Sequence, residues 1–265
     1  MAGICCSARP LLAPAMLVLG TNKTPLLDHL PKRYLLIDDG TLSDTLTFPE
    51  NWRVNYFDPS KHTLNPLHRL TYEKAEAFVS LIDAAFPGGE NTLTKQNSAI
   101  ALLEALLEKP RTIDRLVFNE KDPDQKAATQ KIKRIVLSPT LRHVLTNPTN
   151  FTMTGIVLAR LTGSRFDRFI LGNLLASRYR GTVVIPTFGF YANKSHSQLI
   201  EEGRLIAGLN TLSELDRLPE LRNLLLLGEK IGSHTTYDDA CTIADYTSVP
   251  RHTNGYTDFI DGCMR

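Results

Sequence analysis

The sequence predicts an α/β domain, a mostly parallel sheet flanked by helices, with a helical insertion. Two observations predict the sheet: short apolar runs of the kind that fill strands buried on both faces, and their alternation with helical periodicities along the chain. A third predicts the insertion: no strand-like run occurs between Leu70 and Asn150. The chain has 265 residues, 42% hydrophobic and 22% charged, enough for one large α/β domain at ordinary globular composition. Its net charge of +2 neither demands nor excludes nucleic acid as a partner.

Each element follows from local pattern. Residues 16–20 are an apolar run closed by Gly20, a strand entering a turn, and a helix is expected over 23–30, with Pro25 in its first turn and Pro31 ending it. Residues 34–38 read as a buried strand closed by Asp39-Gly40, and 52–57 as a strand ended by Asp58-Pro59. Helical spacing of Ala75, Phe78, Val79, Ile82 and Ala85 marks a helix over 72–86, stopped by Pro87-Gly88-Gly89. Further helices are expected at 97–108, 113–118, 124–137 and 140–145. Strands follow at 155–160, 181–185 and 205–209, with helices at 167–178, 196–203 and 212–218. A last apolar run covers 224–227, and a helix is expected over 237–246. The domain organisation is thus an N-terminal extension over 1–14 and one α/β domain over 15–265, with its insertion at about 71–148.

The four cysteines, Cys5, Cys6, Cys241 and Cys263, form no C-x-x-C pair, and the seven histidines show no i, i+4 pairing, so a zinc site is not expected. Free thiols, no signal peptide and no stretch long enough for a membrane span point to a cytoplasmic protein.

Four groups of residues bear on chemistry. Gly20, Thr21, Asn22, Lys23 and Thr24 join the first strand to a helix. A phosphate-binding turn needs converging backbone N–H groups, a lysine for the phosphates and a hydroxyl for magnesium, and that order is present. Against it, the full G-x-x-x-x-G-K-[ST] pattern is absent, and a plain strand-to-helix turn reads equally well. The 181–185 strand ends in Pro186-Thr187, where hydrolysis would need carboxylates for magnesium and the attacking water. The 205–209 strand ends in Asn210, either a γ-phosphate sensor or a helix cap. Asp38 either binds a metal or forms a turn with Asp39-Gly40. Arg217 and Arg222 are candidate arginine fingers or residues of a solvated helix face, and Lys131, Lys133 and Arg134 form a basic cluster that touches phosphates or faces solvent.

The order of these segments resembles the HerA/FtsK-type branch of P-loop ATPases, with its conjugation coupling, type IV secretion and viral DNA-packaging members. The resemblance rests on Leu35-Leu-Ile-Asp38, on Phe57-Asp-Pro-Ser-Lys-His-Thr-Leu-Asn-Pro-Leu67, on the helical insertion, and on the later strands and Asp239-Ala-Cys-Thr-Ile-Ala244. It implies a RecA-like, P-loop NTPase-like sheet, with Lys23 and Thr24 at the Walker A Lys-Thr and Thr187 at the Walker B position. Asn210 then stands for the sensor glutamine. The cofactors implied are ATP and Mg2+, the latter held by Thr24 and, in one reading, Asp38. The partners implied are DNA and further copies or subunits of a transfer assembly of a mobile element or virus. Because the departures fall on the catalytic positions, the expected function is a degenerate, non-hydrolysing or weakly active member. The alternatives are an active translocating ATPase with a shortened phosphate loop, or an unrelated α/β enzyme or binding module.

Overall fold

The computed structural model describes residues 15–19, 23, 26–27, 30–40, 42–86, 92–108, 110–119, 121–193, 196–210, 224–228 and 241–244. Among these residues eight strands, β1 (Ala15–Leu19), β2 (Tyr34–Asp38), β3 (Val54–Phe57), β4 (Ile156–Arg160), β5 (Thr182–Ile185), β6 (Leu205–Leu209), β7 (Leu224–Gly228) and β8 (Cys241–Ala244), form one sheet in the order β3-β4-β2-β5-β6-β1-β7-β8. Every pairing is parallel. All eight C-terminal ends therefore lie along one edge, where ligands bind in open α/β sheets.

Alternation along the strands explains why both faces are covered. Leu17, Leu35, Ile37, Val157, Val183, Ile185 and Leu205 point to one face, where they pack with the buried residues of α1 (Tyr72–Ala85), α5 (Arg165–Arg178) and α6 (Phe188–Tyr191). Met16, Val18, Leu36, Leu158, Val184 and Ile206 point to the other, under Leu26, Leu42, Leu46 and Phe48. Strands buried on both sides must be apolar throughout, which is why these read as continuous runs.

Between β3 and β4 lie α1, α2 (Thr92–Leu107), α3 (Pro123–Leu137) and α4 (Pro139–Thr146). The starts of α1, α3 and α4 are set by caps: Thr71 Oγ1 accepts from Lys74 N, Asp122 from Asp124 N, and Ser138 from Leu141 N. Pro123 and Pro139 occupy first-turn positions where no N–H is needed.

The structure departs from the expected elements in four places. α2 begins at Thr92, five residues before the expected start. Residues 113–118 contain only one turn of 3-10 helix, Ile113–Arg115. The β5–β6 crossover carries α6 and α7 (Ser197–Glu201), of which only α7 was anticipated. The helix expected over 237–246 is replaced at its centre by β8, which pairs with β7 from Leu224↔Cys241 to Leu227↔Ala244. The β-branched pair Thr242-Ile243 suits that strand better than a helix interior. Residues 1–14 and the expected 212–218 helix lie outside the described residues, as does half of the 23–30 segment.

Within the basic cluster, Lys133 and Arg134 are exposed, as a solvated face requires, but Lys131 is a further correction. Lys131 is 3% exposed, and its ammonium donates to Asp83 Oδ1 at 3.0 Å and to Ser98 Oγ at 2.8 Å. It ties α1, α2 and α3 together and faces neither solvent nor a phosphate backbone. The Arg134 guanidinium lies over the Phe86 and Phe166 rings at 5.3 and 5.0 Å from their centroids.

Candidate functional site

The C-terminal ends of β1, β6, β5 and β2 are neighbours, and their register fixes what stands level with what. Leu19 pairs with Leu209, Ile185 with Ala207, and Leu36 with Val184. Extended by two residues past Ile185 and by three past Leu36, that register would bring Leu209, Thr187 and Asp39 to one row across the edge.

Lys23 reaches into this row. Its Nζ donates to the Leu209 carbonyl at 2.6 Å, and its stem crosses β6 at Gly208. A Cβ on Gly208 would lie 2.8 Å from Lys23 Cδ and 2.2 Å from the Pro186 carbonyl oxygen. The glycine is thus required by close approach: the ends of β5 and β6 and the lysine after β1 pack together only because position 208 has no side chain. The sequence reading singled out the flanking Asn210 and passed over Gly208. Its one visible signal was a glycine inside an otherwise apolar strand, a pattern that marks close backbone approach.

Thr187 is half-buried at the start of α6, and its hydroxyl makes no capping bond there. The crossover behind it is held by buried amides, with Asn193 Nδ2 donating to Asn173 Oδ1 at 2.5 Å and to Tyr191 O at 2.9 Å. Asn210 directly follows β6 and is exposed. Lys23, Thr187 and Asn210 therefore sit on three neighbouring strand ends. Gly20, Thr21, Asn22 and Thr24 lie outside the described residues, as do Arg217 and Arg222.

Asp38 is 2% exposed, and its Oδ2 accepts from Leu42 N at 2.8 Å and Ser43 N at 2.7 Å. It closes the turn through Gly40, whose φ of 113° only glycine adopts readily. Asp38 stands on β2, three strand steps from β1, so about 14 Å separates the two strands. Among the described residues, no group of three or more His, Cys, Asp or Glu is placed to hold a metal ion. Among the described residues at these strand ends, Leu209 offers a carbonyl, Thr187 a hydroxyl and Asn210 an amide. This donor set does not by itself fit a magnesium ion, which favours carboxylate and phosphate oxygens.

The Phe57-to-Leu67 segment is a structural knot at the far end of the same edge. The Asp58 carboxyl is lowered to about 2, chiefly by the Ser60 hydroxyl and amide. Asp58 N in turn donates to His62 Nδ1 at 2.9 Å. Asn65 Nδ2 donates to Arg111 O at 3.0 Å, its Oδ1 accepts from Leu67 N at 2.9 Å, and its carbonyl accepts from Arg178 at 2.7 Å. Asn-Pro-Leu thus joins the sheet edge to the insertion and to α5. A cavity of about 770 Å3 opens beside it, lined by Tyr56, Asp58, Thr140, His143 and Arg160 among others.

No protein-family model matches the sequence, and no curated protein is detectably similar to it in sequence. Solved structures do match. The plasmid coupling protein TrwB bound to the non-hydrolysable ATP analogue ADPNP superposes with a TM-score of 0.54 at 13% identity, covering 78% of this chain and 66% of that one. The unbound bacterial conjugative coupling protein TrwBdeltaN70 gives 0.51 at 15%, covering 77% and 63%. VirB4 of Thermoanaerobacter pseudethanolicus gives 0.50 at 10%, covering 76% and 71%. The chain spans just under two thirds of the TrwB structures' length. Among the described residues no helix is long and apolar enough to cross a membrane. The chain has the P-loop NTPase fold, a parallel sheet flanked by helices, that these coupling-protein and VirB4 structures share.

Proposed function

We propose that this chain is a nucleotide-binding, non-hydrolysing or weakly active subunit of a DNA-transfer assembly, of the conjugation or packaging kind. The observation that carries this reading is the position of Lys23. It lies where the ends of β1, β6 and β5 meet, with its ammonium on the Leu209 carbonyl. A phosphate placed there replaces a neutral carbonyl by a charged acceptor and so forms the stronger hydrogen bond. The TrwB structure with a bound ATP analogue supports nucleotide as the ligand of this fold.

Weak or absent hydrolysis follows from Thr187. A carboxylate is needed to place magnesium and orient the attacking water. Thr187 stands two strand steps from β1 and offers only a hydroxyl. Asp38, the alternative carboxylate, is one step farther away and already accepts two backbone N–H groups. Lys23 in this reading binds and orients the phosphates, and any magnesium is held through the nucleotide's own oxygens. DNA and companion subunits enter as partners through the coupling-protein likeness.

The test is phosphate release from ATP by the purified chain, with and without double-stranded DNA, beside a filter-binding titration of the DNA at several salt concentrations. The proposal expects turnover near the uncatalysed background and DNA affinity that falls steeply with salt. Robust DNA-stimulated turnover would establish the active-ATPase alternative, and absence of both nucleotide and DNA binding would remove the proposal.

A further inference from the structure

In the insertion, α2 buries Ser98, Leu102, Ala105 and Leu106 toward α1 and α3. On the opposite side it exposes Leu93, Ile100 and Leu107, which are 66%, 55% and 42% accessible. These three are spaced by seven residues, and a straight helix drifts by only about 20° per seven, so they form one narrow apolar stripe. Two exposed polar residues interrupt the stripe, Gln96 and Glu104. The whole set is symmetric about Ile100: Gln96 and Glu104 stand four residues to either side, and Leu93 and Leu107 seven.

We propose that this face is a self-association surface, on which two copies of this chain pair antiparallel along α2 with a two-fold axis at Ile100. Reversal about that axis sets Leu93 on the second copy's Leu107, Ile100 on Ile100, and the Gln96 amide on the second copy's Glu104 carboxylate. The amide donates and the carboxylate accepts, twice per dimer. A parallel pairing would instead set the two Glu104 carboxylates against each other. An unrelated partner helix would need no such symmetry, whereas a patch that meets itself across a two-fold must be self-complementary. The contact closes at two copies, so it differs from the head-to-tail interfaces that build rings. α2 is 16 residues, about 24 Å, long. One helix pair of that length buries less than a standard interface, so the dimer is concentration-dependent, with a dissociation constant in the micromolar range.

Sedimentation velocity of the full chain over about 1–100 µM, a range that spans that constant, tests this. The expected result is a monomer–dimer transition that Ile100→Glu abolishes while the circular dichroism spectrum is unchanged. Gln96→Glu should weaken the dimer about tenfold by opposing two carboxylates, and Gln96→Glu/Glu104→Gln should restore it. A monomer at every concentration overturns the proposal, as does a dimer indifferent to Ile100→Glu. Failure of the double exchange to restore association overturns the two-fold arrangement.

Discussion

Replacing Gly208 by alanine tests whether the β5–β6 edge is as tightly built as its geometry says. The new methyl would sit 2.2 Å from the Pro186 carbonyl oxygen and 2.8 Å from Lys23 Cδ. The lysine stem can swing aside, but the carbonyl is backbone, so the turn from β5 into α6 must retreat by more than an ångström. Overpacking of this kind costs about 1–3 kcal/mol, partly offset by about 0.4–1 kcal/mol from the stiffer unfolded chain. A net loss of about 1–2 kcal/mol lowers Tm by roughly 2–8 °C in a chain of this size. Thermal unfolding followed by circular dichroism reads it directly. In a Lys23→Ala background the penalty should persist to within about 0.5 kcal/mol, since the carbonyl is the obstacle. A variant as stable as the parent refutes the reasoning, and so does a penalty that disappears with the lysine.

The remaining predictions concern stability away from the site. His196 is 1% exposed, and burial holds its imidazole at about 4, below the ordinary 6.5. The folded state resists protonation that the unfolded chain accepts, so stability is full above pH 6.5 and falls as pH drops from 6.5 to about 4. The loss is about 3 kcal/mol, with no further His196 contribution below that window. Urea midpoints at stepped pH should show that slope in the parent and lose it in His196→Phe. Lys131→Ala leaves Asp83 and Ser98 without their shared donor and should cost about 3 kcal/mol by urea unfolding, with Lys131→Met costing less because it keeps the volume. Asn65→Ala removes its bonds to Arg111 O and from Leu67 N, and should cost about 2 kcal/mol in the same assay.

What the sequence revealed and what it hid divide along physical lines. Residues 34–38 and 205–209 were legible to the residue, because strands covered on both faces read as near-continuous apolar runs, the first closed by Asp38. α3 and α4 were legible to within one residue at either end. The strand at 241–244 was hidden: four residues carry no period, and only pairing with β7 makes them extended. Lys131 was misplaced because a lysine reads as a surface residue, and its buried partners Asp83 and Ser98 lie on other helices. At the site, Lys23, Thr187 and Asn210 were each visible as strand-end residues. Their adjacency was not, since it depends on a strand order in which β6 lies between β1 and β5. Gly208 escaped for the same reason, because a need for no side chain appears only once the facing backbone is in place.

The most direct test of the account is an equilibrium titration of a fluorescent ATP analogue into the full chain and into Lys23→Ala and Lys23→Arg. Losing a charge-assisted phosphate contact costs about 1.5–3 kcal/mol, so Lys23→Ala should bind at least tenfold more weakly, with Lys23→Arg between it and the parent. Equal affinity in the parent and Lys23→Ala, or no binding by the parent at all, would contradict a nucleotide site built on the lysine that now rests on Leu209.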